Sequence, residues 1–146
     1  MTTLAAIRFT VLGQAQPAGS KRALPLNGKL GGRAIIVDAN RKSAPWKSHV
    51  AAVARQHYAE ALLRGPLSVT FLFFTPRPAG HIGRKGNVLP SAPMYPTVRP
   101  DVLKLARGCE DALTGVLWHD DAQIVQEHLE KRYGEPARVE VLVEPL

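Results

Sequence analysis

Apolar and polar residues alternate near the start of the chain. Ile7, Phe9 and Val11 are separated by Arg8 and Thr10, and this period of two predicts a half-buried strand ending at Gly13. The period lengthens after Ser43-Ala44-Pro45, where a hydroxyl cap and an early proline suit the first turn of a helix. Trp46, Val50, Val53, Ala54, His57 and Ala61 then recur at helical spacing, predicting a buried stripe that runs to about Leu63, with Arg64-Gly65-Pro66 as the stop. Residues 67–74 form a nearly continuous apolar run of strand length, rich in aromatic and β-branched side chains, which places that strand centrally in a sheet.

The clearest helical pattern comes later. Val102, Leu105, Ala106, Cys109 and Leu113 define a core stripe, Asp101 after a proline reads as its N-cap, and Gly115 as its C-terminal stop. Leu103, Arg107, Glu110 and Thr114 gather on one flank of that stripe. Asp120-Asp121 opens a strand through about Lys131, and a last strand covers 138–143, with Val139, Val141 and Val143 on one face. Between these elements, residues 13–32 read as a flexible, positive loop, 33–38 as a short strand, and 75–100 as a long basic loop rich in proline and glycine. The order is β, short β, α, β, α, β, β. It predicts an α+β fold: a small mixed or mostly antiparallel sheet with two helices on one face, in one domain spanning 1–146.

Charge changes the picture. Residues 1–100 hold 14 Lys/Arg against two acids, whereas residues 101–146 hold 5 against 10. A basic surface suits a polyanion, and carboxylates set into a phosphate-attracting surface make sense if a divalent cation lies between them and the phosphate. Lys21, Arg22, Lys29, Arg77, Arg84, Lys85, Arg99 and Lys104 are the candidate phosphate contacts, and backbone contacts of that kind carry little base information. The single cysteine, Cys109, excludes an intrachain disulfide and a Cys-based zinc site, and suits a cytoplasmic setting. No apolar run reaches the length of a membrane span, and the N-terminus lacks a charged leader followed by an apolar stretch.

Three acid positions carry the candidate chemistry. Asp101 starts a helix, and Asp120 and Asp121 start a strand a short turn beyond it. Two carboxylates brought together from such positions could hold one Mg²⁺ whose other ligands are water and phosphate. The competing reading is an ordinary cap followed by an ordinary Asp turn. His119, beside Asp120, is a candidate proton carrier, while His57, Trp46 and Trp118 read as packing residues.

The segment from Pro100-Asp101 through Arg107, Asp111-Ala-Leu113 and Asp120-Asp121-Ala-Gln123-Ile resembles the signature of the RusA family of Holliday junction resolvases: Pro-Asp-x-Asp-Asn-Leu-x-Lys, then Asp-Ala-Leu, then Asp-Asp-x-Gln-[Ile/Val]. Gly13-Gln-Ala-Gln-Pro17-Ala-Gly-Ser-Lys21-Arg22 also resembles that family's first strand and basic loop. The resemblance implies a bacterial or phage-encoded, homodimeric, Mg²⁺-dependent endonuclease, with Mn²⁺ as a substitute, that cuts four-way DNA junctions in recombination and repair. It implies that Asp101 and Asp121 bind metal and that Arg107 occupies the place of a catalytic lysine.

Leu103 and Lys104 fall where the family pattern has a second aspartate and an asparagine. A leucine cannot coordinate a cation. Three outcomes stay open: the metal has moved along the helix toward Glu110, seven residues on and at nearly the same helical angle; Asp120 joins Asp121; or the protein binds branched DNA and cuts it weakly or not at all. Arg107 stays protonated and offers a planar fork to phosphate oxygens, or else pairs with Glu110 or Asp111 in its own helix.

Overall fold

The computed structural model of the protein describes residues 5–19, 21–25, 34–38 and 40–146, with 21–25 and 34–38 described by their backbone alone. The elements run β1 (Ile7–Leu12), β2 (Lys21–Pro25), β3 (Ala34–Asp38), α1 (Ser43–His57), β4 (Leu67–Thr75), α2 (Val102–Leu113), β5 (Ile124–Tyr133) and β6 (Arg138–Pro145). Four strands form a sheet in the order β1-β6-β4-β5. Within it β6 is antiparallel to both β1 and β4, and β5 is parallel to β4. The fold is α+β with a mixed sheet. A parallel pair cannot be joined by a tight turn, and the long loop with α2 supplies the crossover between β4 and β5.

Alternation explains which face is covered. Ile7, Phe9 and Val11 of β1, Val139, Val141 and Val143 of β6, and Leu67, Val69, Phe71 and Phe73 of β4 are buried together with Trp46, Val50 and Ala54 of α1 and Leu105, Cys109 and Leu113 of α2. Each fully buried Leu, Val or Phe among them contributes about 1.5–3 kcal/mol. Trp118 is wholly buried and donates from its indole N–H to Thr114 Oγ1 at 3.1 Å, fixing the turn after α2. That turn opens at Gly115, whose φ of +84° is the left-handed conformation glycine adopts without strain.

The structure departs from the sequence expectations at several places. Residues 21–25, expected as loop, are a strand paired antiparallel with β3, from Lys21 opposite Asp38 to Pro25 opposite Ala34. A ribbon of that kind is held by backbone bonds and needs no alternating apolar face to announce it. α1 ends at His57 rather than near Leu63, because the next residues are drawn into tertiary pairing: Leu63 is buried and its N–H donates to Leu117 O at 2.7 Å. Ser43 is not the cap. It lies buried in the first turn, while Asn40 turns the chain, its Oδ1 accepting from Lys42 N and its main-chain oxygen from Ser43 N. His57 is exposed, not core, and stacks on Phe9 with ring centroids 5.7 Å apart.

The start of β5 differs most usefully. Asp121–Gln123 is a short 3₁₀ turn, so the strand begins at Ile124. Its pairing with β4 then slips by one residue: Leu67 is opposite Ile124 but Ser68 is opposite Gln126, leaving Val125 as a bulge. The extra residue reverses which side chains face the helices. Glu127 comes opposite buried Val69, and Leu129 and Lys131 opposite buried Phe71 and Phe73.

Candidate metal and nucleic-acid site

α2 lies against β5 and runs back along it. At its first turn, Lys131 Nζ donates to Val98 O at 2.8 Å and to Pro100 O at 3.1 Å, tying the incoming loop to the far end of β5. At its last turn, Glu110 faces Glu127 near the beginning of β5. Asp101 and Asp121 therefore stand at opposite ends of a 12-residue helix about 18 Å long. Within one chain the two carboxylates do not stand side by side. Among the described residues no three His, Cys, Asp or Glu side chains are arranged to hold a metal ion.

Asp101 precedes the helix with extended backbone, and its carboxylate makes no capping bond. It is largely exposed and lies 4.0 Å from Lys104 Nζ. Leu103, the second residue of α2, is 68% exposed, an apolar side chain held in solvent near that ion pair.

The other end of α2 gathers acids. Glu110 is half-buried and its carboxyl is raised to about 8. Burial is the largest cause, followed by a hydrogen bond with Glu127 and then by the negative charges of Glu127, Asp121 and Asp111. The Asp121 carboxyl is also raised, first by a hydrogen bond with Asp120 and then by partial burial and the charges of Asp120 and Asp111. Asp120 itself is engaged locally: its Oδ1 accepts from Ala122 N at 2.9 Å, while Gln123 Oε1 accepts from Asp120 N at 3.0 Å, a reciprocal cap. Gln123 Nε2 also donates to Leu63 O and Gly65 O, each at 3.0 Å, which anchors the turn to the core. Asp111 pairs with Lys47 at 3.2 Å.

This donor set fits a hard divalent cation. All its ligating atoms are oxygens, and the negative charges of Glu127, Asp121 and Asp111, which add to burial in raising Glu110, are charges that such an ion would offset. Mg²⁺ commonly takes one or two carboxylates and completes its shell with water and phosphate, so the Glu110–Glu127 pair with Asp121 beside it suffices in number. Glu127 was not among the residues singled out from the sequence. The signal was present in the shared parity of Glu127, Leu129, Lys131 and Tyr133, but the bulge at Val125 breaks its continuity with Ile124.

The expected phosphate contacts divide. Arg84, Lys85 and Arg99 are exposed on the loop between β4 and α2, and Arg107 is exposed on α2; none has a hydrogen bond or ion pair within the described residues. Arg107 therefore does not pair with Glu110 or Asp111. Arg77 is occupied structurally: it donates to Pro93 O at 2.7 Å and its guanidinium lies 4.4 Å from the centre of the Tyr133 ring. Lys104 lies beside Asp101. The side chains of Lys21 and Arg22, and all of Lys29, lie outside the described residues. The His119 imidazole is exposed without a partner among the described residues, and Trp46 and Trp118 are buried in the core. No helix among the described residues is long and apolar enough to cross a membrane.

Residues 13–144 match the family model described as endodeoxyribonuclease RusA. The chain is also similar to a Bacillus subtilis (strain 168) protein described as uncharacterized protein YqaN, at 34% identity over 139 residues and 94% of each chain.

Proposed function

The chain belongs to the RusA endodeoxyribonuclease family, and from that premise we propose that it resolves four-way DNA junctions by divalent-metal-dependent phosphodiester hydrolysis. The observation that carries this reading is the group of carboxylates in which Glu110, raised to about 8 by burial and by Glu127 and then Asp121, lies at the end of a helix whose exposed flank bears Arg107. Glu110, Glu127 and Asp121 would hold the cation. A bound Mg²⁺ or Mn²⁺ supplies Lewis acidity at a phosphoryl oxygen and lowers the pKa of an attacking water. Arg107, fixed in its protonated form, neutralises charge that grows on the non-bridging oxygens. Arg84, Lys85 and Arg99 grip backbone phosphates, so branch shape rather than sequence governs affinity.

Asp101 enters through a second copy. Its carboxylate is exposed, with Lys104 Nζ 4.0 Å away, yet it lies a helix length away from Asp121 in the same chain. One ion can serve both motif aspartates only if the Asp101 end of one protomer meets the Asp121 end of its partner. The homodimer also suits a two-fold substrate in which two strands are cut. There Asp101 adds a fourth carboxylate and can accept the proton leaving the attacking water.

The test is incubation of the purified protein with a labelled mobile four-way junction and Mg²⁺ or Mn²⁺, comparing wild type with Asp121→Asn, Glu110→Gln and Glu127→Gln. Nicked duplex product from wild type, lost in Asp121→Asn and reduced in both Gln variants, supports the nuclease. A second reading is favoured by Leu103 standing where the family pattern has an acid: a branched-DNA binding protein with weak or absent cleavage. A junction that is shifted but uncut under every cation supports it.

A further inference from the structure

The β4 and β5 ends and the loop preceding α2 enclose a slot that the hydrolytic reading leaves unused. Phe73 and Tyr133, on the helix-side face of the sheet, line it together with Leu105, while Pro96 and Val98 close it from the loop and Gln14 and Arg99 stand among its lining residues. Arg77 lies over one face of the Tyr133 ring. Its volume is about 190 Å³, below the roughly 300 Å³ at which pockets for drug-sized ligands begin, so it has room for one ring system and not for a whole nucleotide.

The chemistry of the lining narrows the occupant. The charged residues of the slot are Arg99 and Lys131, with no carboxylate among them. Lys131 is already bonded to Val98 O and Pro100 O, so it builds the wall rather than offering its charge. Arg99 is exposed and has no partner within the described residues, which leaves its guanidinium for an anion at the rim. Gln14 Oε1 accepts from Thr75 Oγ1 at 3.2 Å, so its amide N–H groups remain free for an acceptor. A narrow apolar lining with one aromatic ring, an amide donor and a cation outside suit a planar heterocycle whose attached backbone is negative.

We propose that this slot takes a single nucleobase unstacked from the branch of the DNA, with Arg99 on the adjoining phosphate and the Gln14 amide on the base edge. The inference rests on the branched-DNA reading. Bases at a branch are less fully stacked than those in a duplex, so extruding one costs less there.

The test measures binding by fluorescence anisotropy in Ca²⁺, with no cleavage required. The probes are a four-way junction, a duplex of the same length, and junctions carrying an abasic site at each nucleotide flanking the branch in turn. At one position the abasic site is expected to weaken wild-type binding about tenfold, within the range for one stacked base. Val98→Trp places an indole in the slot from an exposed loop position and leaves the core untouched. This variant is expected to bind the intact junction as weakly as wild type binds the abasic one, with no further loss on the abasic probe, while its thermal transition matches wild type. Gln14→Ala is expected to reduce the discrimination without abolishing it.

Wild-type binding that prefers the junction over duplex but ignores every abasic site overturns the slot and leaves the branched-DNA reading standing. Retained tenfold discrimination in Val98→Trp likewise overturns the slot. Equal binding of junction and duplex by wild type overturns both.

Discussion

The two ends of α2 solve opposite electrostatic problems. On the loop leading into its first turn, Arg84, Lys85 and Arg99 have no partner among the described residues, Lys131 ties that loop down, and Asp101 lies exposed beside Lys104. Around its last turn Glu110, Asp111, Asp120, Asp121 and Glu127 gather, and among the described residues Lys47 alone forms an ion pair with one of them. One end lacks an anion and the other lacks a cation. In the proposed reading, a phosphate with a divalent ion satisfies both, and a two-fold pair of copies with α2 antiparallel brings the complementary ends together.

The largest expected effect breaks the acidic end. Asp121→Asn is expected to lower junction cleavage by at least about 10²-fold in single-turnover assays, the scale of losing several kcal/mol of charge stabilisation, with junction affinity in Ca²⁺ little changed. Arg107→Ala comes next, at about 10-fold to 10²-fold in rate, with partial rescue by Arg107→Lys, since a point charge replaces part of a fork. A variant that cuts normally without Arg107 returns that residue to a solvated flank.

How much of this contrast could be read beforehand depended on where the local pattern was unbroken. β1, β4, β6 and α2 followed from periods that run without interruption, and the central place of β4 followed from its continuous apolar run. The single-residue bulge at Val125 hid the acidic end: alternation counted from Ile124 sends Glu127 to the wrong face, and only pairing with β4 shows otherwise. The separation of Asp101 and Asp121 was hidden for a related reason. Nearness in sequence around a helix that doubles back along a strand says nothing about which end of the helix each acid occupies.

Smaller effects sharpen the basic end. Lys131→Met removes the ammonium from two carbonyls and is expected to cost about 1–2 kcal/mol in denaturant unfolding, with a larger relative loss of junction binding if it positions Arg99. The double variant Arg84→Ala/Lys85→Ala is expected to weaken junction binding and to flatten the plot of log affinity against log salt by about 1–2 units. An unchanged slope removes these residues from the contact surface.

The smallest effect belongs to pH. Because Glu110 is raised from 4.5 to about 8, metal-free protein keeps its full contribution below about 4.5 and loses it as pH climbs through about 8, where the folded state must ionise it. Solvent screening of this half-buried group holds the loss to the order of 1 kcal/mol. Unfolding curves of Glu110→Gln are expected to lack this decline, and one that declines in parallel with wild type assigns the pH dependence elsewhere.

The most direct measurement of the central claim is anomalous diffraction from a crystal soaked in Mn²⁺. The account requires an ion in contact with Asp121 and at least one of Glu110 and Glu127, with Asp101 of a second copy alongside. Manganese bound at Asp101 far from those three carboxylates, or no ion at saturating Mn²⁺, would contradict it.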